Sequence, residues 1–311
     1  MSNRRQFIKS FSAAAISPFF IQSSDLIYAK KEFMASLNPG AISLKCTADE
    51  LLDYAIKFKF SSISPPLMDL IRFNAGDQKA YLMKMQKNGI VFDSGGLPLE
   101  FRASESKFKE GCEFLKENID TFASLNIPSF VTWIMPTHKT LTYIQNFKQH
   151  RTRLYEVASI LENAGLKLGL EYVGPKTLMA RDKHPFLHSA AGLRELIEEI
   201  GKKNVGYLLD SFHAYCAEDK NKDLDFLNSD DIIAVQINDG VLGRTAATQQ
   251  DLERELPGDT KIIDIESFLN FISSKGYKGP VSVEPFNDEI NKMQAIRKLE
   301  KVRGSLLKFG I

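Results

Sequence analysis

Short apolar runs alternate along the chain with longer segments whose apolar residues recur at helical spacing. In Leu51–Phe58, for example, the apolar residues fall on one face of a helix, as expected of a helix that packs on a sheet. The short runs suit strands of a parallel sheet, because such strands are covered on both faces and need no polar alternation. The predicted strands are Ala41–Lys45, Ser61–Ser64, Ile90–Ser94, Phe130–Ile134, Leu168–Tyr172, Val205–Asp210, Ile232–Asn238 and Val281–Glu284.

Repeated strand-helix units of this number predict an α/β fold of the (β/α)8 TIM barrel type, which typically needs ~250 residues. The chain has 311 residues, enough for one such barrel. The first strand is not followed by a GxGxxG motif, which a doubly wound dinucleotide-binding sheet would carry. Because no linker or charge block divides the chain, we expect a single barrel domain over residues 30–311.

Composition excludes several classes of protein. With 43% hydrophobic and 25% charged residues, the chain is typical of a globular domain, neither disordered nor a membrane bundle. The net charge of +1 gives no general attraction for nucleic acid. Three cysteines, Cys46, Cys112 and Cys216, show no CxxC spacing, so we expect free thiols.

Residues 1–29 have the features of an export signal. Arg4-Arg5 and a polar flank precede the small and apolar stretch Phe11–Ile21, which is typical of a twin-arginine signal. This stretch is shorter than the ~20 residues of a membrane-spanning helix, so we expect cleavage rather than a stable membrane anchor. The protein is then expected in the periplasm or outside the cell. The alternative is a basic amphipathic arm on a cytoplasmic protein.

Four successive predicted strands end on oxygen-bearing side chains. Because the carboxyl ends of barrel strands form the catalytic face, these side chains are expected to converge there. Carboxylates gathered at an apolar mouth would repel one another unless a cation holds them. Oxygen ligands favour Mn²⁺ or Mg²⁺, with Co²⁺ and Zn²⁺ as alternatives. For each residue taken alone, a helix cap or a structural hydrogen bond is the competing interpretation. The proposed metal ligands are Glu171, Asp210, Gln236 and Glu284.

Five further residues are candidates for contact with a substrate. His213 follows Asp210 by one short turn and could bond a substrate oxygen, although a buried structural histidine is the alternative. Arg254 could hold an anionic or polyhydroxy substrate, whereas a surface ion pair is the common fate of a loop arginine. Trp133 and His138 could form the pocket wall, and Trp133 would serve equally well in the core. Asp239, close after Gln236, completes the set.

The combined motifs resemble the xylose-isomerase-like TIM barrels called sugar phosphate isomerases/epimerases. The resemblance covers roughly residues 41 to 308 and is strongest from Gly165 onward. It implies that the four strand-end residues bind the metal and that His213 contacts substrate. Many ketose 3-epimerases of this family have a histidine where this chain has Gln236, and glutamine there is more similar to 3-dehydroshikimate dehydratases. The motifs are Glu171, Asp210-x-x-His213, Gln236-x-x-Asp239, Arg254-x-Leu-Pro-Gly and Gly276-Tyr277-x-Gly279-x-Val-Ser-Val-Glu284.

We therefore expect a metal-dependent isomerase or epimerase of a sugar or related hydroxy-carbonyl compound. Glu171 and Glu284 would act as catalytic acid and base in a proton transfer through an enediolate. Two alternatives remain open from the sequence: a dehydratase that uses the same site, and a barrel that only binds carbohydrate. The expected partner is a small polyhydroxy keto compound, and a homo-oligomer is compatible with the chain.

Overall fold

The computed structural model describes residues 33–311, so the predicted export signal at residues 1–29 lies outside the described part of the chain. Residues Lys31–Ile311 form one compact unit. Among the described residues, no helix is both long and apolar enough to cross a membrane. All three cysteines are free, with Cys112 and Cys216 buried.

A parallel sheet closes on itself to form the barrel. Its strands pair in the order β3-β2-β1-β11-β10-β9-β7-β5-β4. β3 pairs with β2, and β4 pairs with β5. Only Asp93 and Ser94 separate β3 from β4 along the chain, so the two act as one interrupted strand that closes the ring. The strands are β1 (Met34–Leu37), β2 (Ser62–Ile63), β3 (Val91–Phe92), β4 (Gly95–Gly96), β5 (Ser129–Ile134), β6 (Thr137–His138), β7 (Lys167–Tyr172), β8 (His184–Pro185), β9 (Val205–Asp210), β10 (Ile232–Gln236) and β11 (Pro280–Ser282).

Helices surround the ring, and β6 and β8 form a separate antiparallel ribbon. The first long helix begins with a capping box, in which Thr47 and Glu50 satisfy each other's backbone N–H groups. The helices are α1 (Ala48–Phe58), α2 (Leu67–Leu70), α3 (Ala75–Lys87), α4 (Glu105–Ser124), α5 (Tyr143–Asn163), α6 (Lys176–Met179), α7 (Ala190–Ile200), α8 (Ser211–Ala217), α9 (Ile265–Ser274), α10 (Asp288–Lys292) and α11 (Ala295–Leu307).

The barrel prediction is confirmed, but its first strand was placed wrongly. Ala41–Lys45 is not a strand: Gly40–Ile42 form a turn of 3-10 helix and Ser43 has a left-handed φ of 50°, which no strand allows. The true first strand, β1, lies a few residues earlier. The other seven predicted strands each overlap an observed one.

Alternation along the strands decides which side chains face the barrel interior. Gly169 on β7 approaches the side chain of Ile233 on β10, and β9 lies between these two strands in the ring. Gly169 and Ile233 must therefore point inward. Because side chains alternate along a strand, Glu171, two residues after Gly169, also points inward at the carboxyl end of β7.

His150 on α5 is a buried histidine outside the barrel. Its ring packs against Phe101 and Phe186, with centroids 5.1 and 4.9 Å away. Its Nδ1 lies 2.9 Å from the carbonyl oxygen of Asn146, and its Nε2 is buried without a partner among the described residues. Burial lowers the pKa of His150 to about 4, partly offset by the bond to Asn146. The ring is therefore neutral at pH 7.

Replacement of His150 by Phe is expected to reduce the loss of unfolding free energy when the pH falls below neutral. The pKa is about 4 in the folded protein and near 6.5 in the unfolded chain. The stabilising effect of the neutral ring is thus complete above pH 6.5 and disappears as the pH falls through 4, a change on the order of 3 kcal/mol. Urea unfolding of both proteins between pH 7 and pH 4 measures it. If both proteins lost the same unfolding free energy between pH 7 and pH 4, the loss could not be assigned to His150.

Candidate metal and active site

Strand pairing brings the predicted ligands to the inner face at the carboxyl end of the barrel. Asp210, the last residue of β9, is the register partner of Gln236, the last residue of β10. Gln236 in turn pairs with Ser282 on β11, and Glu284 follows two residues later on the same face. With Glu171 on the inner face of β7, side chains from four consecutive ring strands meet at this end.

Two of these side chains and His213 lie close enough to share one ion. Glu171, Asp210 and His213 each offer one ligand atom, and the three atoms lie within 4.8 Å of one another. His213 Nε2 is 3.6 Å from Glu171 Oε1. All three residues are buried. The sequence predicted His213 as a substrate contact, whereas the structure places it among groups that could hold a metal.

The polar atoms left without partners test whether a cation fits this site. Glu171 Oε1 and Gln236 Oε1 are buried and have no hydrogen-bond partner among the described residues. Buried polar atoms are almost always satisfied by protein, water or an ion. Oxygens of this type are the donors that a hard or borderline divalent cation prefers, and a ligand atom of Glu171 lies within 4.8 Å of one of Asp210. The residues present therefore fit a divalent ion.

Arg254 reaches into the same cluster and is 1% exposed. Its Nη1 donates to Asp210 Oδ2 at 3.0 Å and to Glu284 Oε2 at 3.3 Å. Its Nη2 donates to Asp251 Oδ1 at 2.8 Å and lies 3.2 Å from His213 Nε2. The exposed surface ion pair weighed for this arginine is therefore excluded. The guanidinium is buried and bonded to acids of the site, so it is also not held free for a substrate.

Burial and mutual repulsion control the ionisation of the acids. Burial raises the pKa of Glu171 well above its usual value, and the charges of Glu284 and Asp210 raise it further. Burial also raises the pKa of Glu284 to about 7, although Arg254 opposes the shift. The pKa of Asp210 is raised by burial too, against the lowering effects of Arg254 and the Phe212 N–H group. In the absence of an ion, the site therefore retains protons more strongly than exposed carboxylates do.

His213 is held as a neutral ring. Burial and the charge of Arg254 lower its pKa well below the usual value. Its Nδ1 accepts from the N–H of Gly174 at 3.3 Å, and its Nε2 faces the Arg254 guanidinium. A neutral imidazole has one N–H group and one free lone pair. Nε2 could therefore bind an ion only in the tautomer in which Nδ1 carries the hydrogen and no longer accepts from Gly174, whereas in the other tautomer Nε2 is a hydrogen-bond donor.

The carboxylate of Asp239, a predicted substrate contact, accepts hydrogen bonds from the backbone of a neighbouring loop. Its Oδ1 accepts from the N–H groups of Gly240, Ile262 and Ile263 at 2.9 to 3.0 Å, and its Oδ2 accepts from Thr260 and Lys261. The side chain is completely buried. These five backbone bonds occupy the carboxylate, so Asp239 fixes the loop at residues 260–263 instead of facing a ligand.

Asn238 is a site residue that the sequence prediction missed. Its Nδ2 donates to Asp210 Oδ2 at 2.9 Å, and its Oδ1 accepts from the Glu284 N–H at 2.7 Å. One amide therefore positions the Asp210 carboxylate and the backbone of Glu284 together. Its position directly before Asp239 was the available signal, but sequence does not show which way an amide points.

Trp133, for which the sequence left a pocket wall and a core position open, lies at the mouth of the barrel. It is the register partner of Glu171 and therefore shares its inner face, with 47% of the residue exposed. The guanidinium of Arg102 stacks on its ring at 4.3 Å. Arg102 was not predicted, because its position depends on the path of the loop before α4. An exposed indole beside the carboxylate of Glu171 is a flat apolar surface that a ligand could contact.

His138 is used to hold a loop. It lies on the ribbon formed by β6 and β8, where it pairs with His184. Its Nδ1 accepts from the backbone N–H groups of Thr140 and Leu141 at 3.1 and 2.8 Å. These bonds fix the segment that leads into α5. The recorded bonds of His138 thus connect it to that segment and not to the acid cluster.

Comparison with known proteins adds relatives of the same fold. The inosose isomerase of Halalkalibacterium halodurans is 25% identical over 220 residues, which cover 70% of this chain and 72% of that protein. A solved xylose isomerase domain protein from Alicyclobacillus acidocaldarius has a TM-score of 0.78 at 29% identity, with 89% of this chain and 98% of that chain covered.

Two more distant structures share the fold. An IolI protein with a bound zinc atom has a TM-score of 0.74 at 19% identity, covering 89% of this chain and 98% of that chain. A D-psicose 3-epimerase with D-fructose has a TM-score of 0.69 at 15% identity, covering 90% and 100%.

The family assignment rests on a sequence model whose description is xylose isomerase-like TIM barrel and which matches residues 52–304. This match includes every proposed ligand and substrate contact. It confirms the resemblance drawn from the motifs. The chain belongs to the xylose isomerase-like TIM barrel family.

Proposed function

We propose that this protein is a divalent-metal-dependent isomerase or epimerase of a small polyhydroxy ketone. The observation that carries the proposal is the convergence of Glu171, Asp210 and His213 at the mouth of the barrel, where Glu171 Oε1 is buried and has no hydrogen-bond partner among the described residues. Two similar proteins support the proposal, an inosose isomerase and a D-psicose 3-epimerase, because inosose and psicose are both polyhydroxy ketones. They favour an isomerase or epimerase over a non-catalytic binding protein.

Glu171, Asp210, Gln236 and Glu284 are the proposed ligands of the ion, and His213 Nε2 is near enough to add to them. A divalent ion bound there would polarise a carbonyl group and stabilise negative charge on neighbouring oxygens. Mn²⁺ or Mg²⁺ suits the oxygen-rich set, and the zinc atom in the IolI protein supports including Zn²⁺ among the ions tested.

Glu171 and Glu284 are the proposed proton carriers. One removes a proton from the carbon beside the carbonyl, the C–H electron pair becomes the enediolate, and the other carboxyl returns a proton to a carbon. Glu171 Oε1 makes no hydrogen bond within the described part of the chain. In the ion-free protein, burial raises the pKa of Glu284 to about 7, and a bound cation would lower it.

Neutral groups are proposed to orient the substrate. His213 would bond a hydroxyl or carbonyl oxygen without adding positive charge, because its pKa is low. Trp133 would cover one face of the carbon skeleton, and Arg102 holds that indole in place through the stacked guanidinium. The carbon that reacts would then lie against the inner face of β7, next to Glu171.

The test is a panel of polyhydroxy ketones, including inososes, ketohexoses and 3-dehydroshikimate, incubated in D₂O with protein that was stripped of metal and reloaded with Mn²⁺. The proposal expects ion-dependent interconversion of isomers or epimers, with deuterium incorporated at the carbon next to the carbonyl. An absorbing conjugated enone without interconversion would instead identify a dehydratase. Binding without deuterium incorporation by any ketone would refute catalysis of this type.

We also propose that residues 1–29 direct export through the twin-arginine pathway. Support comes from the Arg4-Arg5 pair and the short apolar stretch that follows. Fractionation of cells that express the full chain and a variant with Arg4 and Arg5 changed to Lys decides the matter. Equal amounts of both proteins in the periplasmic fraction would refute this route.

A further inference from the structure

Arg254 is a single positive charge surrounded by acids. Asp210, Glu284 and Asp251 each accept a hydrogen bond from its guanidinium. The charge of Glu171 also acts on it, and together these acids raise the pKa of Arg254 despite its burial. Four carboxyl groups therefore share one resident cation, before any ion is considered.

Contacts that do not involve the proposed ligand oxygens fix Arg254 in place. Its Nε donates to the Asp251 carbonyl at 2.8 Å, and its Nη1 also donates to the Glu284 carbonyl at 3.2 Å. The guanidinium lies between the rings of Phe212 and Phe286, with centroids 4.8 and 4.9 Å away. A group that is packed and bonded in this way stays in the site whether or not the acids hold an ion.

We propose that Arg254 is a resident counter-cation that stabilises the acid cluster without a metal and, by the same charge, weakens the binding of a divalent ion. This inference rests on the ion site of the proposed function. Its consequence is that Arg254 sets the ion concentration at which the site fills. The ion-free protein then keeps its folded site instead of depending on the metal for stability.

The opposite expectation, that Arg254 helps to bind the ion by orienting its ligands, is disfavoured by the other bonds of those ligands. Asp210 Oδ1 accepts from the Phe212 N–H at 2.7 Å, and Asp210 Oδ2 accepts from Asn238. Asn238 also holds the backbone of Glu284. Without Arg254, the Asp210 carboxylate keeps its bonds to Phe212 and Asn238, and the backbone of Glu284 keeps its bond to Asn238. The ion would then lose a positively charged neighbour. Repulsion between charges at this range is strong in a buried site.

The experiment compares the metal-free wild-type protein with Arg254→Gln, Arg254→Met and Arg254→Lys. Arg244→Gln is the matched control, because Arg244 lies nearby in the chain and pairs with Glu253. Titration with Mn²⁺, followed by calorimetry or by electron paramagnetic resonance of free Mn²⁺, gives the dissociation constant. Melting in excess EDTA and in excess Mn²⁺ gives the stability of each state. Neither readout depends on turnover.

We expect the Gln and Met variants to bind Mn²⁺ at least tenfold more tightly than wild type, to melt earlier in EDTA, and to recover that loss when Mn²⁺ is added. The Lys variant keeps the charge and should keep both wild-type values to within a few-fold, as should Arg244→Gln. Arg254→Met fills the space between the two rings, so it separates the loss of charge from the loss of packing.

Weaker Mn²⁺ binding by folded Gln and Met variants would overturn the inference, because it would make Arg254 a ligand-positioning group. Unchanged binding would overturn it too, because the charge of Arg254 would then have no effect on the ion. Variants that are insoluble with and without Mn²⁺ would also overturn it, since packing would then be the role of Arg254. A protein with the expected shift in affinity but no isomerisation or epimerisation would refute the proposed function alone. A working enzyme without the shift would refute this inference alone.

Discussion

Replacement of Glu171 by Gln is expected to reduce turnover by about 10²–10⁴-fold, the usual contribution of a general acid or base. Gln has the same shape and keeps an oxygen for the site, but it cannot carry a proton. The substrate-binding constant should change much less than kcat. The measurement is kcat together with solvent-deuterium incorporation at the carbon next to the carbonyl. Undiminished incorporation by Glu171→Gln would remove Glu171 as the base.

Comparison with Glu284→Gln assigns the two proton transfers. A substrate deprotonated by Glu171 should still exchange its proton with solvent in the Glu284 variant, while net conversion is lost. Glu253→Gln is the control, because Glu253 is exposed and pairs with Arg244. It should retain wild-type turnover. Identical losses of exchange in the Glu171 and Glu284 variants would indicate that the two carboxyls act as one unit.

The same Glu171→Gln change should increase the stability of the ion-free protein at alkaline pH. Burial and neighbouring acids raise the pKa of Glu171, so its folded-state pKa lies above the unfolded one. The contribution of this carboxyl to stability is therefore complete below the unfolded pKa and is lost as the pH rises through the folded pKa. Gln avoids that loss. A melting temperature in EDTA at pH 8 that falls below wild type would contradict this reasoning.

Replacement of Gly174 by Ala is expected to cost roughly 3 kcal/mol of unfolding free energy, at the upper end of the usual cost of overpacking. A Cβ atom at this position would lie 2.1 Å from the carbonyl oxygen of His213 and 3.1 Å from the backbone N of Ala217. Both atoms belong to the backbone of α8, so the whole helix must move. The Gly174 N–H bond to the His213 ring would move with it.

Urea unfolding measures the loss, and activity of the remaining folded protein should fall because His213 is displaced. Gly304→Ala on α11 is the contrasting control. Apart from its own helix backbone, no atom of the described residues lies within 4 Å of the added Cβ, so alanine there should stabilise the helix by about 0.5–1 kcal/mol. If Gly174→Ala unfolded with the same urea midpoint as wild type, α8 would be able to shift more easily than the close packing implies.

The barrel and most strand ends could be predicted from sequence, because parallel strands covered on both faces are continuous apolar runs. β9 was predicted with both of its ends, Val205 and Asp210. β1 was missed because Ser36, buried on this strand, interrupts the apolar pattern. Ala41 and Ile42 resemble part of a strand because they are apolar and buried, but they lie in a turn of 3-10 helix.

The candidate site was predictable where it depends on strand register and unpredictable where it depends on loop paths. Glu171, Asp210 and Gln236 end predicted strands, so their convergence follows from the fold. The position of Arg254 among them depends on the path of the long segment between β10 and α9. The saturation of Asp239 by five N–H groups also follows from that path. No local pattern distinguishes such a carboxylate from one that faces a ligand.

The interrupted strand that closes the ring is paired to its neighbours over fewer residues than β7, the strand that carries Glu171. Six residue pairs join β5 to β7, whereas two pairs join β2 to β3 and two join β4 to β5. Amide hydrogens near Asp93 should therefore exchange with solvent sooner than those of β7 and β9. Glu171 and Asp210 stand on β7 and β9, which have the longer pairings, whereas Glu284 follows β11, which pairs with β10 over two residues only. Insertions and substitutions beside the interrupted strand can therefore reshape that side of the mouth while Glu171 and Asp210 stay in place.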